Sequence, residues 1–350
     1  MKLEKPLQDG IYTLGQSETQ KKSKTSPTAI IKGDGTVLND VELLSKRAKR
    51  KTITRSMILG LVDVAKNENE PDWVKRYWNA YHCQSELTEV EGYLHSTFCK
   101  TRYCTVCLAI RKAELINKYL PEIQTWKEPH FVTLTCKAVK APYLNKRVFD
   151  VKRAFKKIHT KLKTRHARGQ GIKVIGIKSL ECNFNPIKKT YNPHFHIIVP
   201  DKETAELLRY EWLKLWTWKF ASKKAQNIKK INGLENALIE TIKYGSKVFT
   251  EPDVNNKQKQ KVPAKIYVHA LHNIFKAFEG RRLFERFGFN LPPQPVRENK
   301  TFITNNFQKW IFPNDETDWV NIETGECLTN ESDLDELQTF LKENVDLIQN

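Results

Sequence analysis

Pro193-His194-Phe195-His196-Ile197-Ile198-Val199 is the stretch on which the reading of this chain turns. In a β-strand the side chains at i and i+2 share a face, so His194 and His196 stand together while Phe195, Ile197 and Val199 enter a core on the other side. A second β-like run, KVIGIKSLECNF (173–184), precedes it, and the turn-prone Asn185-Pro186 between the two predicts an antiparallel hairpin. With the hairpin centred between Ile187 and Lys188, Glu181 falls opposite His194 and Ser179 opposite His196. Directly opposed side chains share a face with Cβ atoms about 5 Å apart. Two imidazoles and one carboxylate then converge, a donor set that leaves positions open on an ion for water or phosphate. On these residues alone, two histidines satisfied by neighbouring hydrogen bonds remain the plain alternative, although a carboxylate on an apolar strand is costly unless paired or ligating.

Outward from the hairpin, a strand is expected at about 130–136 (HFVTLTC), with helices over about 146–165, 203–220, 234–249 and 264–278 and a further helix from Leu43 to Ala65. Strands and helices mix without βαβ regularity, so the fold class is α+β, with a central antiparallel sheet flanked by helices. Residues 1–70 read as a polar, basic N-terminal region, disordered in part around TQKKSKTSPT (19–28). Residues 71–127 form a Cys-rich module, 128–250 a core, 251–312 a basic helical extension and 313–350 an acidic tail.

Of 350 residues, 59 are Lys or Arg and 40 are Asp or Glu, a net charge of +19. Residues 315–350 hold eleven acids and one lysine, a net of −10, which leaves +29 on residues 1–314. Such a body attracts phosphate backbones. The basic residues form no single cationic helix that would lie on a membrane. No apolar run approaches the roughly 18 residues of a membrane span, and MKLEKPLQDG lacks a signal-peptide core, so the expected location is cytoplasmic.

Seven cysteines in such a chain argue against a disulfide scaffold. Cys99, Cys104 and Cys107 are spaced C-x4-C-x2-C, with Cys83 upstream. Closely spaced thiolates hold a tetrahedral zinc ion at little loop-closure cost. Cys83 completes the set, with His82 and His95 as alternative fourth donors and free buried thiols as the plain alternative. Lys100, Arg102, Arg111 and Lys112 decorate the module, as a surface facing DNA requires.

In LENALIETIKYGSKVF (234–249), Glu240, Tyr244 and Lys247 follow at i, i+4 and i+7 along one helical face. A phenol with a pKa near 10 attacks at neutral pH only where a cation stabilises its anion. Lys247 supplies such a charge, and Glu240 is placed to accept a proton. An ordinary amphipathic helix accounts for the same pattern, and Tyr191, beside the histidines, is the competing nucleophile. Trp212, Trp216 and Trp218 divide between core and base-stacking roles.

Taken together these segments resemble the HUH endonucleases, specifically the single-tyrosine rolling-circle replication initiators of small bacterial plasmids. The resemblance rests on the C-x4-C-x2-C module with its internal Arg102, on FVTLT (131–135), NPHFHIIV (192–199) and E-x-x-x-Y-x-x-K (240–247), and on HALHNIFKAFEGRRLF (269–284), and it spans roughly residues 75–290. It implies an HUH nuclease core that nicks one DNA strand at a replication origin. Tyr244 would form a 5′-phosphotyrosyl link and leave a priming 3′-hydroxyl. His194, His196 and Glu181 would hold Mn²⁺ or Mg²⁺, Glu240 would activate water at termination, and Cys83, Cys99, Cys104 and Cys107 would hold a structural Zn²⁺. The implied partner is origin DNA, single-stranded or extruded as a hairpin. For the acidic tail three readings stand: a solvated acidic helix, a screen for the basic body, or a recruiter of a host helicase. Thr105 replaces the proline of the family's C-P-x-C turn. Gly245 after the tyrosine loosens its helix by about 1 kcal/mol. A transposase or relaxase using the same chemistry, and a non-catalytic zinc-containing DNA-binding autorepressor, are the other readings of these residues.

Overall fold

The computed structural model describes residues 29–32, 35–38, 40–241, 264–293 and 301–329. Strands β1 (Ala29–Lys32) and β2 (Thr36–Val37) lead into helix α1 (Val41–Asn67), which begins where Asp40 Oδ1 accepts from Leu43 N at 2.9 Å. Pro71 opens α2 (Pro71–Tyr81), a position that needs no N–H. The hairpin β3 (Glu86–Val90) and β4 (Tyr93–His95) follows, then α3 (Thr105–Ile123), β5 (His130–Thr135) and α4 (Leu144–Ala167). After these come β6 (Gly176–Asn185), β7 (Thr190–Val199), α5 (Lys202–Phe220), β8 (Asn227–Lys230) and α6 (Leu234–Thr241). The last described elements are α7 (Ala264–Phe278), β9 (Phe284–Phe287), β10 (Thr301–Thr304), β11 (Gln308–Ile311) and β12 (Val320–Asn321). The protein is a mixed α+β molecule with antiparallel sheets.

The central sheet runs β8-β5-β7-β6-β9, antiparallel throughout. Its two long strands pair with Glu181 opposite His194 and Ser179 opposite His196, the register that a turn centred between Ile187 and Lys188 requires. One face buries Val132, Leu134, Leu180, Phe195 and Ile197 against apolar stripes of α4 (Val151, Phe155, Ile158), α5 (Leu208, Trp212) and α7 (Ile274, Phe278). Phe195 is 1% exposed, and truncation of such a side chain costs about 3–5 kcal/mol. The opposite face carries the histidines. Its lower rows, Ile177 and Ile198, are covered by Tyr119 and Ile123 of α3 and Leu238 of α6. The rows above, with His194 and His196, are thereby set at the edge of a packed helical layer.

Two departures from the sequence reading have clear physical causes. Residues 284–321, expected as a basic helical turn and extension running into an acidic tail, supply four strands. β9 closes the central sheet beside β6, β10 pairs with β1, and β11 and β12 join the second sheet, ordered β12-β11-β3-β4-β2. That sheet packs Leu87, Leu94, Trp310, Phe312 and Trp319 on Leu44 and Ala48 of α1. Strands of two to four residues are too short to show a period, and here long-range pairing creates them. The second departure is in α5, where Thr217 has φ 60° and breaks the helix. Trp212 is fully buried as core, whereas Trp218 beyond the break stands 83% exposed.

Candidate active site

The four-residue connection from Asn185 to Thr190 sets the hairpin: Asn185 Oδ1 accepts from Lys188 N at 2.9 Å, and Lys189 turns the chain with φ 50°. That local geometry delivers Glu181, 5% exposed, to His194, 4% exposed. Glu181 Oε2 lies 4.0 Å from His194 Nε2 and Glu181 Oε1 lies 3.5 Å from His196 Nδ1. The two rings are 4.8 Å apart, and the three donor atoms lie within 4.8 Å of one another. His194 Nδ1 donates to the Asn192 carbonyl at 2.9 Å, which leaves the lone pair on Nε2, the nitrogen that faces Glu181.

Neighbouring groups hold this arrangement. Thr135, opposite His194 on β5, donates through Oγ1 to Asn192 Oδ1 at 2.7 Å, and Asn192 Nδ2 donates to the Cys136 carbonyl at 3.1 Å. Gln226 accepts from Thr135 N, and Trp212 Nε1 donates to Thr135 O at 2.9 Å, which braces the end of β5. Phe131 meets the His196 ring edge-on at 5.0 Å. The carboxylate and both imidazoles are thus close enough together to be candidate ligands of one cation. Three protein donors of N, N, O type could hold a divalent cation and leave room for further oxygen ligands.

Glu240 belongs to α6, on the histidine side of the sheet, through the packing of Leu238 on Ile177 and Ile198. The Glu240 side chain, Tyr244 and Lys247 lie outside the described residues. Tyr191 alternates with Asn192 and His194, so it points to the opposite face, where it is 3% exposed and its hydroxyl accepts from Asn273 Nδ2 at 3.0 Å. Burial holds its phenol above the ordinary value, relieved in part by Asn273. Tyr191 is therefore absent from the histidine cluster.

The cysteine module is a separate centre. Cys83, Cys99, Cys104 and Cys107 bring their sulfurs within 4.8 Å of one another. Cys83 and Cys99 each lie 3.6 Å from Cys107, against about 3.8 Å between thiolates in a tetrahedron with Zn–S of about 2.3 Å. Backbone N–H groups point at the sulfurs: Cys99 N at Cys83 Sγ, 3.4 Å, and Cys107 N at Cys104 Sγ, 3.5 Å, where Cys104 also caps α3. Donation from the Cys104 thiol, then from Cys107 and Cys83, holds the Cys99 sulfur well below the usual thiol range. Lys51, fully buried, donates to the carbonyls of Tyr81 at 2.8 Å and Cys83 at 2.6 Å. Burial, with Arg55 adding to it, pushes the Lys51 ammonium down to about 7, while the sulfurs of Cys83, Cys104 and Cys99 pull it up. A protonated Lys51 behind the four sulfurs would offset the negative charge of a metal-bound thiolate cluster. His82 stacks on Trp78 and His95 pairs in β4 with Thr88; neither joins the cluster.

A third group escaped the sequence reading. Glu68 and Glu70, at the joint of α1 and α2, meet His272 of α7 at 3.3 and 3.0 Å, and Tyr77 Oη lies 2.7 Å from His272 Nδ1. Lys276 bonds both carboxylates, so this group already carries its own cation and works as a latch between helices. About 200 positions separate its halves, and no spacing rule reaches that far.

The sequence profile described as replication protein matches residues 92–291, which takes in the cysteine run from Cys99, the histidine hairpin, α6 and β9. This chain belongs to the replication protein family. Among its relatives is Protein rep of Staphylococcus aureus, 32% identical over 167 residues, which are 43% of this chain and 69% of that protein. Protein rep of Streptococcus pneumoniae serotype 2 is 25% identical over 182 residues, 46% of this chain and 54% of that one, and Protein rep of a Bacillus species is 30% identical over 134 residues, 34% and 40%. No solved structure matches the chain. Membership of the family agrees with the likeness to rolling-circle plasmid initiators carried by the motifs. Among the described residues no helix is long and apolar enough to cross a membrane.

Proposed function

We propose that this replication protein starts rolling-circle replication of a plasmid by nicking one DNA strand at the origin with an HUH-type site, and rejoins strands at termination. The reading is carried by the Glu181–His194–His196 cluster, buried but for a partly exposed His196, on the sheet face that α6, the helix leading in sequence to Tyr244, packs against. A Mn²⁺ or Mg²⁺ ion in that cluster would neutralise charge on the scissile phosphate. Glu181, His194 and His196 orient the phosphate's surroundings. Tyr244 Oη forms a bond to phosphorus as the bond to the 3′-oxygen breaks; Glu240 takes the phenolic proton, and the 3′-oxygen gains one from solvent. The 5′-phosphotyrosyl ester keeps the bond energy for rejoining, and Lys247 favours the phenolate through its charge. At termination Glu240 serves as the base for water. Residues 71–127, with a structural Zn²⁺ on the four cysteines, form a DNA-facing module beside the nuclease core of 128–250. A host helicase is the further partner.

The test is incubation with an origin oligonucleotide and Mn²⁺, followed by denaturing electrophoresis. A covalent adduct is expected in the native protein and none in Tyr244→Phe. An adduct that survives this substitution contradicts the assignment.

A further inference from the structure

Arg102 and Arg111 stand where two clefts meet. The larger, of about 720 Å³, lies between α3 and β9 and is lined by Arg102, Arg111, Arg282 and Arg286 together with Tyr119 and Phe284. The smaller, of about 320 Å³, continues from Arg102 and Arg111 to Lys100 and Arg76. In the larger cleft four arginines face one carboxylate, Glu285. Burial alone would raise the Glu285 carboxyl, but bonded Lys178 and nearby Lys152 hold it below the usual range, so it is already neutralised.

Carbonyl groups orient three of the four arginines. Arg102 donates to Phe278 O at 2.8 Å and to Arg281 O, Arg111 to Lys100 O at 3.0 Å, and Arg286 Nε to Phe289 O at 3.2 Å. The planar guanidinium fork is the side-chain geometry that matches phosphate. The cleft is also aligned with the histidine cluster. Phe284 pairs with Ser179, and Ser179 pairs with His196. Direct partners share a face, so Phe284 lies two strand spacings, about 10 Å, from His196 on the same side of the sheet. Arg286, opposite Ile177, shares that face.

We infer that this arginine cleft carries the sugar–phosphate backbone of the single strand that flanks the cut phosphate, with the cysteine module as one wall and β9 as the other. The inference rests on the nicking function proposed above, and it gives that function a strand path: from the histidines, across β6, into the gap between α3 and β9. Arg102, between Cys99 and Cys104, ties the wall to the end of α7, so a loaded cysteine site is needed to shape the groove.

The experiment measures binding of the full-length, zinc-loaded protein to fluorescent single-stranded oligonucleotides of about 6 and about 20 nucleotides, one near the short end of ordinary site sizes and one beyond the long end. It is done across a salt series without Mn²⁺ or Mg²⁺, so a protein unable to cut still tests the cleft. Arg111→Ala and Arg286→Ala are each expected to bind the longer strand several-fold more weakly. Each should flatten the plot of log K against log salt by about 0.7, the value of one lost phosphate contact on a single strand. Arg111→Lys should recover most of the slope. Lys156→Ala, on the solvent side of the helix that covers the other face, is the control for diffuse charge. Slopes unchanged in both arginine variants, or flattened equally by Lys156→Ala, overturn the inference. Loss of duplex binding alone, with single-strand slopes intact, overturns it too. Flattened slopes together with no adduct in the separate Mn²⁺ assay would instead count against the nicking chemistry and leave the cleft standing.

Discussion

The two donor clusters differ in how the chain builds them. Cys99, Cys104 and Cys107 come from nine consecutive residues, and Cys83 arrives from the end of α2; four soft donors enclose their centre. Glu181, His194 and His196 meet only because two ten-residue strands pair in one register, and three harder donors leave their centre open. Under the proposed function, a closed site would hold the fold together, while an open one, braced by Asn192, Thr135 and Trp212, would retain positions for a reacting phosphate. Losing an ion from the first should unfold its surroundings, and losing one from the second should stop chemistry with the fold intact.

The largest effect expected from this contrast is at the cysteines. Zinc binding in small modules is folding energy, on the order of 10 kcal/mol, so Cys104→Ser should lose zinc by elemental analysis, lose much of the melting transition and lose DNA binding. Next comes His196→Ala, which should reduce Mn²⁺-dependent adduct formation on the order of 10²-fold or more while the melting temperature moves little. Glu181→Gln sharpens the distinction further. It removes a carboxylate that is costly to bury, so without Mn²⁺ its melting temperature should equal or exceed that of the native protein, and the stabilisation that Mn²⁺ brings should vanish. A Cys104→Ser protein that melts normally would erase the contrast, as would a His196→Ala protein that unfolds.

The smallest expected effect concerns pH. Burial holds His272 below its ordinary value of 6.5 despite the pull of Glu68 and Glu70. The neutral ring satisfies both neighbours, accepting from Tyr77 and donating to Glu70. A histidine depressed in the folded state is protonated first in the unfolded chain, so the latch's stability is complete above about pH 6.5 and is lost as pH falls through the folded-state value. Melting temperatures between pH 7 and 5 should fall more steeply in the native protein than in His272→Gln. Equal slopes would show that the latch does not titrate.

Much of this was legible in the residues. The hairpin register followed from one turn, because ten-residue strands leave little freedom once a face is buried. The C-x4-C-x2-C spacing led to the cysteine cluster for the same local reason, as did the long helices α1, α4 and α7. What escaped depends on distance along the chain. β9 to β12 are too short to announce themselves, and the Glu68–Glu70–His272 latch joins segments that no periodicity links. The arginine cleft gathers positions 102, 111, 282 and 286 through the packing of α3 on β9. Tyr191 is the instructive intermediate case. Adjacent to the histidines in sequence, it alternates onto the other face, and period-two counting from Pro193 places it there.

Calorimetric titration of Mn²⁺ into the zinc-loaded protein, in parallel with Glu181→Gln and His196→Ala, tests the open site most directly. One Mn²⁺ per native chain, lost in both variants while zinc content stays constant, is the expected result. Equal Mn²⁺ binding by all three proteins would contradict the assignment of Glu181, His194 and His196 as its ligands.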